Sequence, residues 1–127
     1  MNPTSHTKLD YRHADATMQE IISIVEGYMH TNRKDEIKNT LWDTYIFARQ
    51  AHEGQIRKSG EPYINHPVEA AKILTSIKPD LVTLQACLLH DVPEDTTVDV
   101  EMIREAYGDV VANLTAGMEK LSSVRYK

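Results

Sequence analysis

The chain is predicted to be all-α, and three observations carry that reading. Apolar residues recur at intervals of three and four over most of the sequence, the spacing that lines one face of a helix. No stretch shows the alternating, β-branched pattern of a strand. Glycines and prolines such as Gly54, Pro62, Pro79 and Gly108 fall between the periodic stretches, where they end helices or form loops. A chain of 127 residues fits one domain and buries roughly two thirds of its unfolded surface, enough for a core without staples. About six helices are expected.

Residues 1–15 have little periodicity and read as a flexible leader, with the domain running over 16–127. Thr17-Met18-Gln19-Glu20 has the spacing of a capping box, in which the Thr and Glu side chains satisfy two orphaned backbone N–H groups, so the first helix is expected to start there. Met18, Ile21, Ile22, Val25, Tyr28 and Met29 then form its apolar stripe. His30 to Lys34 is a polar connection. Ile37, Leu41, Tyr45 and Ala48 keep the helical period as far as Gly54, a residue able to take the left-handed conformation that closes a helix.

Between Gly54 and His66 the period fails, and Arg57-Lys58-Ser59-Gly60-Glu61-Pro62 has the composition of a surface loop carrying two positive charges. Pro67 suits a first helical position, where its missing N–H costs nothing, and Val68, Ala71, Ile73, Leu74 and Ile77 form a stripe that Pro79 stops. Further helices are expected from about Asp80 to His90, from about Val100 to Tyr107 with Gly108 at its end, and from Asp109 through Val111, Leu114, Met118 and Leu121.

Composition narrows the function. A formal charge of −5 argues against a nucleic-acid surface, since binding to a duplex rests on clustered Lys and Arg. The polar start MNPTSHTKLDYRHADAT lacks the apolar run of a signal peptide, and no later segment is long and apolar enough to span a bilayer, so no membrane partner is expected. The single cysteine, Cys87, forms no internal disulfide, reads as a small buried hydrophobe, and is compatible with a cytoplasmic location.

The chemistry concentrates in LLHDVPEDT. Leu84, Ala86, Cys87, Leu88 and Leu89 lead directly into His90-Asp91, and Glu94 and Asp95 follow one helical turn later. An imidazole beside a carboxylate offers a divalent cation two ligands from one short stretch of backbone. Charges placed where burial is still high cost several kcal/mol, roughly, unless paired or bound to metal. Pro93 lacks the N–H that would bond to the Leu89 carbonyl, so the helix should kink or stop near Val92. Two histidines compete for a third ligand position. His66 precedes a proline, which pushes it out of helical geometry and lets it project towards a neighbouring helix. His52 ends a helix, where the dipole favours an imidazolium. Each group also has a plainer reading: a capping or core histidine, a hydrogen-bonded pair, a solvated acidic helix end. His6, His13 and His30 carry no functional weight.

Three segments in order, HEGQIRKSGEPYINHP, KPDLVTLQACLLHDVPEDTT and YGDVVANLTAGMEKL, closely resemble the N-terminal hydrolase region of the RelA/SpoT homologue family, enzymes that make and destroy the alarmone (p)ppGpp. The likeness runs from about Trp42 to Lys120. It implies the fold of the HD superfamily, all-α metal-dependent phosphohydrolases. It also implies that the family's first metal histidine falls on His66, which decides for it over His52, and the His-Asp pair on His90 and Asp91. The Glu-Asp pair next to the family's metal-bound water falls on Glu94 and Asp95, and the loop meeting guanine and phosphates falls on Arg57, Lys58 and Ser59.

Two departures from the family pattern stand out. Position 93 is a proline where an apolar non-proline is usual, and the sequence ends at Lys127, before the Asp-Arg-Leu-His-Asn-like segment that brings the family's last metal aspartate. The expectation is therefore an incomplete HD-type hydrolase domain, truncated at its C-terminal end. Asp99 and Asp109 are not substitutes, because both fall at helix starts. The implied activity is Mn²⁺-dependent removal of the 3′-pyrophosphate of (p)ppGpp, with a guanine nucleotide as substrate. The alternatives are a non-catalytic guanine-nucleotide-binding or regulatory module and an HD phosphohydrolase acting on another phosphoester.

Overall fold

The computed structural model describes residues 9–125. Its α-helices run α1 Arg12–Tyr28, α2 Lys34–Ala51, α3 Asn65–Leu74, α4 Leu81–Leu89, α5 Val92–Asp95, α6 Val100–Tyr107 and α7 Asp109–Arg125, and a 3₁₀ turn at Thr75–Ile77 extends α3. Among the described residues there is no β-strand, only an isolated bridge between Ile56 and Pro62. The all-α expectation holds, with the one-turn α5 added to the six helices foreseen. Among the described residues no helix is long and apolar enough to cross a membrane. Residues 1–8 of the expected leader, with His6, and the side chain of Leu121 lie outside the described residues.

Helix α4 is the centre of the packing. It touches α2, α3 and α7, and Leu84, Gln85, Ala86, Cys87, Leu88 and Leu89 are all buried around its circumference. A helix apolar on every side belongs inside a bundle rather than on its surface. Asp80 caps it, accepting from the Thr83 N–H at 3.0 Å. Gln85 satisfies its buried amide by donating to Thr44 Oγ1 at 3.0 Å, which ties α4 to α2. Helix α1 packs on α2 and α3 through Met18, Ile21, Ile22 and Val25, and α2 contributes Ile37, Leu41, Tyr45 and Ala48, the faces that the periodicity predicts.

Four local expectations need correction. The first helix begins at Arg12, not at Thr17, so no capping box forms. Thr17 instead donates to the His13 carbonyl at 3.0 Å inside the helix. The earlier turn is held by tertiary contacts invisible to local spacing: Ala14 is buried, and Asp15 accepts from Tyr45 Oη at 2.7 Å and Arg49 Nη1 at 3.0 Å on α2. Second, α3 starts at Asn65, so Pro67 is its third residue and His66 lies within the first turn instead of outside it, its N–H bonded to the Tyr63 carbonyl at 2.9 Å. Third, Ile73 and Ile77 are 74% and 73% exposed, because the buried face of α3 runs Val68, Ala71 and Thr75. Fourth, α7 buries Val111, Ala112 and Thr115, and Leu114 is exposed.

The contrast gives a stability test. Leu84→Ala should cost about 2–5 kcal/mol in chemical denaturation, since it leaves a cavity at the packing centre. Ile73→Ala should change stability by less than about 0.5 kcal/mol, in spite of its place in the sequence stripe.

Candidate metal centre

The His90-Asp91 pair sits at the junction of two helices. Helix α4 ends at Leu89, the His90 N–H reaches the Cys87 carbonyl at 3.4 Å, and Asp91 is the residue before α5. Pro93 falls in the first turn of α5, where its lack of an N–H leaves nothing unsatisfied. The proline therefore separates two helices, and Glu94 and Asp95 ride on the single turn that follows.

Nδ1 of His90 lies 2.6 Å from the Cys87 carbonyl. A carbonyl only accepts, so Nδ1 carries the proton and the Nε2 lone pair is free for a ligand. Nε2 of His90 is 3.3 Å from Asp91 Oδ1, and Nε2 of His66 is 3.5 Å from Asp91 Oδ2. One ligand atom from each of the three residues fits within 4.8 Å of the others. Metal bonds of about 2.0–2.2 Å put neighbouring ligand atoms about 3.0–3.5 Å apart, a spacing that the two histidine–carboxylate pairs match, and the mixed imidazole and carboxylate donors suit a divalent ion. His90 and Asp91 are mostly buried, whereas His66 is open to solvent on one side.

Tyr63, unremarked in the sequence, completes the setting. Its hydroxyl donates to Asp91 Oδ2 at 2.8 Å. Burial first, and then the hydrogen bond and charge of Asp91 and the nearby Asp95, push the Tyr63 pKa up, so it stays a neutral donor. No local spacing marks it, because its partner lies 28 residues away. Burial and the Asp91 charge likewise push the Cys87 thiol up to about 11, in keeping with its reading as an inert buried residue.

Tyr63 is brought there by the segment between α2 and α3. Arg57 N–H bonds to the Glu61 carbonyl at 2.9 Å, Gly60 N–H to the Arg57 carbonyl at 2.8 Å, and Tyr63 N–H to the Gln55 carbonyl at 2.9 Å. The expected loop is thus a tight hairpin, with Gly60 at φ +90° in its turn. Lys58 and Ser59 are exposed at its tip. Arg57 contacts Glu61 at 3.0 Å and Glu69 at 3.6 Å.

The remaining candidates sort as follows. Glu94 and Asp95 are exposed, and Asp95 acts on Tyr63. His52 is buried at the end of α2 and is not part of the three-residue cluster. Asp99 caps α6 by accepting from the Met102 N–H at 2.9 Å, and Asp109 pairs with Arg104 at 2.9 Å.

An all-helical body with a His…His-Asp cluster at a helix end defines a class, and comparison with known proteins agrees: the model of the HD domain matches residues 44–127, and the chain belongs to that family. Within it, the resemblance to the RelA/SpoT homologues holds. The chain is 48% identical over 94 residues to the bifunctional (p)ppGpp synthase/hydrolase SpoT of Escherichia coli, a match covering 74% of this chain and 13% of that protein. It is 51% identical over 87 residues to the guanosine-3′,5′-bis(diphosphate) 3′-pyrophosphohydrolase of Vibrio cholerae, covering 68% of this chain and 12% of the relative. A GTP pyrophosphokinase of Myxococcus xanthus is 46% identical over 78 residues, 61% of this chain and 10% of its own. The chain thus spans between about a tenth and an eighth of the length of these relatives.

Tyr63→Phe should lower divalent-metal affinity about tenfold, the lower end of the effect of losing a group that orients a ligand, and should leave the helical circular-dichroism spectrum intact. Titration with Mn²⁺ followed by calorimetry measures it.

Proposed function

We propose that this domain carries out metal-dependent hydrolysis of the 3′-pyrophosphate of (p)ppGpp, giving GDP or GTP and pyrophosphate. The observation that carries the reading is the convergence of His66, His90 and Asp91, with His90 held in the tautomer that leaves Nε2 open. These three residues would hold the ion. Mn²⁺ suits the mixed nitrogen and oxygen donors. A divalent ion bound there supplies Lewis acidity, lowering the pKa of a water and polarising a phosphoryl oxygen.

The other roles belong to the chain itself. Asp95 and Glu94, on the turn that leaves the cluster, would orient the attacking water and accept its proton. Arg57, Lys58 and Ser59 would hold the nucleotide, with Arg57 exchanging Glu61 and Glu69 for phosphate oxygens. The open side of His66 leaves an approach to the cluster. The names of the relatives support (p)ppGpp over another phosphoester, and a cytoplasmic location follows the same reading.

Incubation with ppGpp and Mn²⁺, with pyrophosphate and GDP as the products measured, tests the proposal. Turnover should vanish in His90→Ala and in Asp91→Ala, and chelation should abolish it reversibly. Arg57→Ala should raise KM about tenfold, as expected for the loss of a charge-assisted bond to phosphate. Unchanged turnover in either cluster variant would refute the reading; nucleotide binding without pyrophosphate release would point to a binding module instead.

A further inference from the structure

Two groups beside the cluster take no part in the chemistry proposed above, yet they form a continuous chain to it. His52, only 2% exposed, has its Nδ1 2.9 Å from Gln55 Oε1. Gln55 Nε2 donates to the Asp95 carbonyl at 2.7 Å, a bond between residues 40 apart in sequence. The carbonyl only accepts, so the Gln55 amide nitrogen must face it and the amide oxygen must face His52. Nδ1 of His52 therefore carries the proton, and the direction of the whole chain is fixed.

The other nitrogen, His52 Nε2, is buried without a hydrogen-bond partner among the described residues, while the ring lies 4.9 Å from that of Tyr63. An unsatisfied buried nitrogen is destabilising, so packing alone does not account for a histidine at this position. Gln55 is anchored at both ends of its own backbone, its N–H on the His52 carbonyl and its carbonyl on the Tyr63 N–H, each at 2.9 Å. Helix α5, by contrast, is a single turn held by Asp95 N–H to the Asp91 carbonyl and Thr96 N–H to the Val92 carbonyl, each at 3.0 Å. A helix of this length does not support itself.

We propose that His52 and Gln55 are positioning residues, which tether the Asp95 carbonyl and so hold the turn bearing Glu94 and Asp95 at the metal cluster. The role of that turn rests on the reading of Glu94 and Asp95 given under the proposed function, whereas the tether itself is testable without activity or metal.

Amide hydrogen exchange in the metal-free 127-residue chain is the measurement. Gln55→Ala should speed exchange at Asp95 and Thr96 by about tenfold, the factor that one lost hydrogen bond accounts for, and leave α2 and α4 protected. His52→Asn keeps an N–H where Nδ1 stands and should preserve protection; His52→Gln moves it and should lose protection. Exchange unchanged in Gln55→Ala, a rise spread over α2 and α4, or identical behaviour of the two histidine variants would overturn the tether. In the ppGpp assay, Gln55→Ala should lower kcat with KM unchanged. Full turnover in Asp95→Asn would refute the role given to Asp95, whereas its loss alongside unaltered exchange in Gln55→Ala would refute the tether alone.

Discussion

The carboxylate of Asp91 is the constraint around which the rest is arranged. It stands mostly buried at the end of the most apolar helix in the chain, where an uncompensated charge costs several kcal/mol, roughly. Three groups reach it, the Tyr63 hydroxyl and the Nε2 atoms of His66 and His90. A divalent ion held between His66, His90 and Asp91, as proposed above, would compensate that charge directly. The bond from His90 Nδ1 to the Cys87 carbonyl orients the ring and favours the tautomer whose Nε2 lone pair faces the cluster.

Two architectural features deliver that carboxylate. One is the abrupt end of α4, after which Pro93 begins a new turn instead of prolonging the old one. The other is the hairpin between α2 and α3. By pairing Gln55 with Tyr63 through the backbone, it aims the tyrosine at Asp91 and the glutamine at Asp95, while its tip presents Lys58 and Ser59 to solvent. Ligand support and the basic loop are thus parts of one short segment. A change in that hairpin would be felt at the cluster as well as at the surface.

Much of this was legible in the sequence because it depends on local pattern. The stripes of α1 and α2 are fixed by the helical period, and Asp80, Asp99 and Gly108 mark helix ends by chemistry that acts within one turn. His90 and Asp91 stood out because charge followed burial with no polar transition. What stayed hidden depends on contacts between distant residues. The early start of α1 rests on Asp15 meeting Tyr45 and Arg49, and no local rule contains that pairing. Ile73 and Ile77 look like core by composition, yet the surface of α3 that faces α1 and α4 runs through Thr75. Tyr63 and Gln55 were silent for the same reason, since their partners lie 28 and 40 residues away.

The central claim is that His66, His90 and Asp91 share one cation. The most direct measurement is the paramagnetic broadening of histidine ring resonances on adding substoichiometric Mn²⁺ to the intact chain. The account predicts that the rings of His66 and His90 broaden together and first, and that Asp91→Asn removes the effect. Broadening of the two rings at different metal concentrations, or its persistence in Asp91→Asn, would contradict it.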